Sequence, residues 1–140
     1  MKPVDMVEFR EKDPNVFGDC FRCCLASVLE LEHNDVPHVM QISKTTGRSW
    51  VYVVNEWLQP KHLWYCELLP DRFPSNYMTS NGNYWIGSGF SPRFPKEKHS
   101  VVLQNSDLWT FNIVHDPHPS RAGLLDGRIT EIGMFVNLCR

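Results

Sequence analysis

Basic charge is not in excess in this chain. Fourteen Lys and Arg stand against 16 Asp and Glu, a formal net charge of −2 with the histidines neutral. The positive residues are scattered rather than clustered, which excludes the footprint of nonspecific nucleic-acid binding. Long apolar runs are missing too. The opening residues Met1-Lys2-Pro3-Val4-Asp5 carry no apolar signal segment, and no run approaches the length that spans a bilayer. The five cysteines are odd in number and lack the regular spacing of a disulfide scaffold. Internal repeats, low-complexity tracts and linkers are absent. What remains is a single domain, residues 1–140, large enough for one core. It is expected to be soluble and cytoplasmic, with free thiols and with no nucleic-acid or membrane partner.

The most informative stretch runs from Gly18-Asp19-Cys20-Phe21-Arg22-Cys23-Cys24 to Leu29. Phe21, Cys24, Leu25 and Val28 recur at i, i+3, i+4, i+7, which predicts a helix over Cys20–Leu29. Asp19 is expected to cap it by accepting a first-turn N–H. Cys20 then sits at the positive end of the helix dipole, where thiolate is favoured over thiol. Thiolate is the form that attacks a carbonyl carbon.

A base and an orienting acid lie downstream. His99 opens the run His99-Ser100-Val101-Val102-Leu103, and a second run from Leu108 to Val114 ends in His115-Asp116-Pro117. Both runs read as strands, with Asn105-Ser106-Asp107 as the turn between them. A hairpin of this kind brings the start of the first strand beside the end of the second, so His99 meets Asp116. Cys20, His99 and Asp116 are then the parts of an acyl-transfer triad. Adjacent strand residues face opposite sides, so His115 should point away from the site.

The remaining elements follow from pattern and punctuation. Residues 1–17 read as an extended arm and Glu30–His38 as an exit loop. A second helix is expected over Arg48–Leu58, with Trp50, Val53, Val54 and Trp57 inward and Pro60 at its end. Strands are expected at Leu63–Leu69, Tyr84–Ile86 and Ile129–Leu138. Pro70–Asn83 reads as a loop over a cleft, and Gly87-Ser88-Gly89 as a flexible wall beside it. Helices followed by strands give an α+β fold with a mostly antiparallel sheet.

These features resemble the papain-like cysteine peptidases. The closest likeness is to the bacterial branch that includes the leader-peptide-cleaving domains of bacteriocin exporters. Gly-Asp-Cys-Phe-Arg near the start and His-Asp-Pro-His-Pro-Ser-Arg near the end also look like a group of uncharacterised bacterial and phage proteins. The likeness spans about residues 13 to 124 and rests on those two motif blocks. It implies a papain-like fold with the nucleophile-bearing helix packed on the sheet, Cys20 as nucleophile, His99 as base and Asp116 as orienting acid. It also implies an amide side chain before the nucleophile that helps hold the oxyanion. Papain-like enzymes use Gln there, and this chain has the shorter Asn15.

The function expected is a thiol hydrolase cleaving an amide, peptide or isopeptide bond in a peptide, protein or conjugate, with no metal and no cofactor. Asn15, Asp19, Ser88 and Arg121 are the candidate oxyanion and substrate-binding residues, with Ser120 and Arg121 equally suited to holding their loop to the body. Three other readings stay open. One is a weakly active or inactive binding protein on the same fold, phage-encoded, that captures a host protein or small molecule. The second is a redox dithiol at Cys20-x-x-Cys23. The third is a structural zinc site on Cys20, Cys23, His115 and His118.

Overall fold

The structure is a computed structural model that describes residues 1–72, 84–106 and 110–138. Helix α1 spans Cys20–Leu29, α2 spans Val39–Thr46 and α3 spans Trp50–Leu58. The strands are β1 Leu63–Leu68, β2 Tyr84–Phe90, β3 Lys98–Asn105, β4 Phe111–His115 and β5 Glu131–Asn137. They form one sheet in the order β1-β5-β2-β3-β4, with every neighbouring pair antiparallel. The architecture is α+β, as helices followed by strands imply. No helix among the described residues is long and apolar enough to cross a membrane.

Helix α1 packs on β3 and β2 and buries Phe21, Cys24 and Leu25, the face its spacing predicts. Cys23, Ala26 and Ser27 are buried as well, because the N-terminal arm covers the other side. Val4 N–H donates to Ser27 Oγ at 2.9 Å, Lys2 N–H to the Ser27 carbonyl at 3.1 Å, and Met6 N–H to the Pro117 carbonyl at 3.0 Å. The arm thus straps the nucleophile helix to the loop after β4. Glu30, left-handed at φ 57°, ends the helix.

Helix α2 was not legible in the pattern. It buries only Val39, and the hydroxyls of Thr45 and Thr46 bond back to carbonyls within it, a habit of poor helix formers. The expected exit loop contains a single 3-10 turn at His33–Asp35. Helix α3 begins at Trp50 rather than Arg48, with Ser49 at its N-cap. Its buried Asn55 donates to the Tyr65 carbonyl at 3.0 Å and accepts the Tyr65 N–H at 2.6 Å. One side chain therefore satisfies both backbone groups of an edge-strand residue.

The Gly87-Ser88-Gly89 segment is a correction: it lies inside β2 and is no flexible wall. Its glycines answer to crowding. A Cβ on Gly87 would fall 2.5 Å from Leu103 Cδ1, and one on Gly89 would fall 2.4 Å from the Arg128 carbonyl oxygen. Gly133 on β5 is tighter still, since its Cβ would lie 1.9 Å from the Tyr65 hydroxyl oxygen. After a 3-10 turn at Pro70–Arg72, the rest of the expected cleft-covering loop, 73–83, lies outside the described residues. So does Asp107 of the expected turn, although Ser106 N–H does reach the Thr110 carbonyl at 3.0 Å.

Candidate active site

Strand pairing delivers the base and the acid. Strands β3 and β4 run antiparallel with Val102 opposite His115, which leaves His99 and Asp116 at the same end of the hairpin. His99 Nε2 lies 2.8 Å from Asp116 Oδ1, and both residues are buried. Asp116 also holds its own turn. Its Oδ1 accepts His118 N–H at 2.9 Å and its Oδ2 accepts Gly123 N–H at 2.7 Å. The two roles open to an Asp before Pro, turn former and imidazole partner, are filled by one carboxylate.

Cys20, half-buried at the start of α1, lies close enough to the His99 ring for each to shift the pKa of the other. With Nε2 on Asp116, Nδ1 is the nitrogen left for sulfur. Burial pushes the Cys20 pKa up, but the hydrogen bond and charge of His99 outweigh it, helped by the backbone N–H groups of Ser100 and Phe21. The net direction is downward. Burial likewise pulls His99 down, and its hydrogen bonds to Asp116 and Cys20 overcome this to hold it up at about 9. Asp116 is held below the usual carboxylate range: burial opposes this, and the His99 hydrogen bond prevails. The three shifts describe one ion pair, thiolate beside imidazolium, with a carboxylate behind it.

The dyad opens on a cavity of about 510 Å³ that Cys20, His99, Ser100 and Ser88 line. The arm supplies Met6, Arg10, Glu11 and Phe17 to its rim, and α3 supplies Trp50. Ser88 is therefore at the cleft, as expected, although on a strand. Asn15 is exposed and lies outside the cavity lining, its carbonyl held by Lys44 Nζ at 3.0 Å. It is not placed to donate to an oxyanion. The reason is local: residues 13–16 form a turn, Asn15 N–H to Asp13 Oδ1 at 2.9 Å and Val16 N–H to the Asp13 carbonyl at 3.1 Å, which carries the amide away from Cys20.

Asp19 is also a correction. Its side chain makes no cap hydrogen bond to α1. It is fully buried and turns back to accept Val7 N–H at 3.3 Å and Glu8 N–H at 3.2 Å, with His33 Nε2 at 2.7 Å. It fixes the arm and the 3-10 turn to the start of α1. Arg121 stays off the cavity wall as well. Its guanidinium donates to the Asp116 carbonyl and reaches Asp5 Oδ1 at 2.7 Å, so it ties the loop to the arm.

His115 points away as strand alternation requires, its Nε2 on the Val4 carbonyl at 2.9 Å. Cys23 is buried, its thiol on the Asp5 carbonyl at 3.4 Å, and burial followed by the Asp19 charge pushes its pKa well up. That is the opposite of an activated dithiol partner. Cys20, Cys23, Cys24 and Cys66 are all free thiols. The four residues considered for zinc do not converge. Among the described residues the metal-ligating types that gather are Asp19, Cys23 and His33, and these are engaged in the contacts above.

No family model, curated protein or solved structure matches this chain. The site must be read from its own chemistry. Sequence reasoning did not find the Ser100 N–H or Glu67. Ser100 is adjacent to His99 and acts through its backbone, which carries no side-chain signal. Glu67 did have one: it is the lone charge in Leu63-Trp64-Tyr65-Cys66-Glu67-Leu68, at the same parity as the buried Tyr65.

Proposed function

We propose that this protein is a thiol hydrolase of papain-like fold that cleaves an amide, peptide or isopeptide bond. The observation that carries this reading is the His99–Asp116 hydrogen bond with Cys20 beside His99 in the lining of one cavity. A thiol with its pKa lowered by an imidazolium, in a cleft large enough for a peptide segment, is the arrangement that nucleophilic catalysis needs.

In the proposed cycle the Cys20 thiolate adds to the carbonyl carbon. The oxyanion is received by the backbone N–H of Cys20, one of the first-turn donors that a helix leaves unpaired. As the C–N bond breaks, His99 gives its Nδ1 proton to the departing amine, and the acyl group stays on sulfur as a thioester. His99, now neutral, takes a proton from water as that water attacks the thioester. The C–S bond then breaks, the acid is released, and the thiolate and imidazolium are restored. Asp116 holds the ring orientation and stabilises its charge throughout.

The test is hydrolysis of a mixed peptide library followed by mass spectrometry, comparing the native protein with Cys20→Ala. New termini in the first and none in the second are expected. Identical digests, or none from either protein, contradict the reading.

A further inference from the structure

Among the described residues, the charged side chains lining the cavity pair off, with one exception. Arg10 Nη1 lies 3.0 Å from Glu97 Oε1, Arg93 Nε 3.4 Å from Glu11 Oε1, and Lys98 Nζ 2.9 Å from Glu131 Oε2. Glu67, half-buried in the same lining, has no Lys, Arg or His among the described residues at ion-pair distance. Its hydrogen-bond donor is the Tyr65 hydroxyl, at 3.1 Å. A carboxylate has room for several donors, and burying it with one is unfavourable. Burial raises its pKa and the Glu131 charge adds to this, against the Tyr65 hydrogen bond and the more distant Lys98 charge.

The path from Cys20 to Glu67 is aromatic. Phe21, next to the nucleophile, meets Trp50 edge-on at 5.4 Å and Tyr65 at 5.4 Å, and Trp50 lies 6.1 Å from Tyr65, between ring centroids. Trp50 and Met40 line the cavity alongside. Cys20, Phe21, Met40, Trp50 and Glu67 share one lining, so the cleft holds the thiol, apolar side chains and an acid with no cation at ion-pair distance among the described residues. Lysine and arginine have the matching form, an apolar stem with a cationic tip, and an indole face adds attraction for the cation.

We propose that Trp50, Met40 and Glu67 form a subsite that selects a lysine or arginine side chain of the substrate close to the scissile bond. This rests on the hydrolase reading of Cys20. A neutral side chain leaves Glu67 without a cationic partner, and an acidic one meets both Glu67 and Glu131, the lysine there, Lys98, being already paired with Glu131.

The experiment measures second-order inactivation rates with dipeptidyl chloromethyl ketones, in which the Cys20 thiolate displaces chloride to form a thioether. Each of the two residues is set in turn to lysine, to norleucine, which has the same four-carbon stem without the ammonium, or to glutamate. At one of the positions lysine is expected to react about 10-fold faster than norleucine, the ratio given by ~1.4 kcal/mol of differential binding, with glutamate slowest. Glu67→Gln, with the fold checked by circular dichroism, should bring the ratio of lysine to norleucine close to one. Equal rates for lysine and norleucine in the native protein, or a ratio that survives Glu67→Gln, overturn the subsite alone. If no ketone labels Cys20, the hydrolase reading falls and the subsite with it.

Discussion

His99 Nε2 and Asp116 Oδ1 meet at 2.8 Å across the open end of the β3–β4 hairpin, where both residues are shielded from solvent. The contact commits one ring nitrogen of His99 to a carboxylate and leaves the other for the Cys20 side, whose pKa the ring lowers. Three residues from the first helix, the third strand and the end of the fourth are joined in this way.

Removing the carboxylate should damage both the ring and its turn. Asp116→Ala leaves His118 N–H and Gly123 N–H without their acceptor and should cost about 1–3 kcal/mol in urea unfolding. Asp116→Asn keeps an acceptor and should be milder on stability. It should still lower the hydrolysis rate, because a neutral amide no longer stabilises imidazolium. A variant with native turnover would mean that the carboxylate serves the turn alone.

Stability should depend on pH in a way that exposes the ion pair. His99 is raised from 6.5 to about 9, so its contribution is complete below about 6.5 and is lost as pH rises through about 9. Cys20 is lowered from 9.0, so its contribution is present above about 9 and lost as pH falls through its lowered value. Between about 6.5 and 9 the two contributions change in opposite directions, that of His99 falling and that of Cys20 growing as pH rises. The native protein should therefore show a shallower fall in urea midpoint over that window than the His99 contribution alone would give. In Cys20→Ala the Cys20 slope is absent and Asp116 alone is left to raise His99, so the profile should change shape between about 6.5 and 9. Parallel profiles for the two proteins would show that sulfur and imidazole are not coupled.

Asp19 is predicted to act on catalysis through position. Asp19→Ala frees Val7 N–H, Glu8 N–H and His33 together, and should cost about 1–3 kcal/mol in stability. It should also slow Cys20 alkylation, as the arm and the first turn of α1 lose their common anchor. His33→Ala should produce a smaller version of both effects. A stable Asp19→Ala protein with native alkylation would contradict this role.

Gly133→Ala tests the sheet beneath the cleft. The added methyl overlaps the Tyr65 ring as well as its hydroxyl, so the core must shift, at about 1–3 kcal/mol for an overpacked site. Thermal melting reads this directly. An unchanged melting temperature would mean that Tyr65 is free to move.

Much of this arrangement was legible in the sequence because it follows from local periodicity. The span of α1 was set by Phe21, Cys24, Leu25 and Val28, and the meeting of His99 with Asp116 follows from two strand patterns and a short turn. What escaped was decided by contacts distant in sequence. Asp19 has the composition of a cap, yet the arm offered it two backbone donors and His33 offered a third. Gly87 and Gly89 look like a loop because glycine is ambiguous between freedom and crowding, and only the approach of Leu103 and Arg128 shows which applies. Helix α2 has only Val39, Met40 and Ile42 to mark its inner face, too few for a periodicity, and Asn15 is shorter than the Gln of the papain-like pattern, whose reach it does not have.

The most direct test of the central claim is the rate of Cys20 alkylation by iodoacetamide as a function of pH, in the native protein and in His99→Ala. The ion pair predicts thiolate reactivity that persists well below pH 9.0, the ordinary thiol value, and a profile displaced upward when the imidazole is removed. A native profile that rises only near the ordinary thiol value and is unmoved by His99→Ala would contradict it.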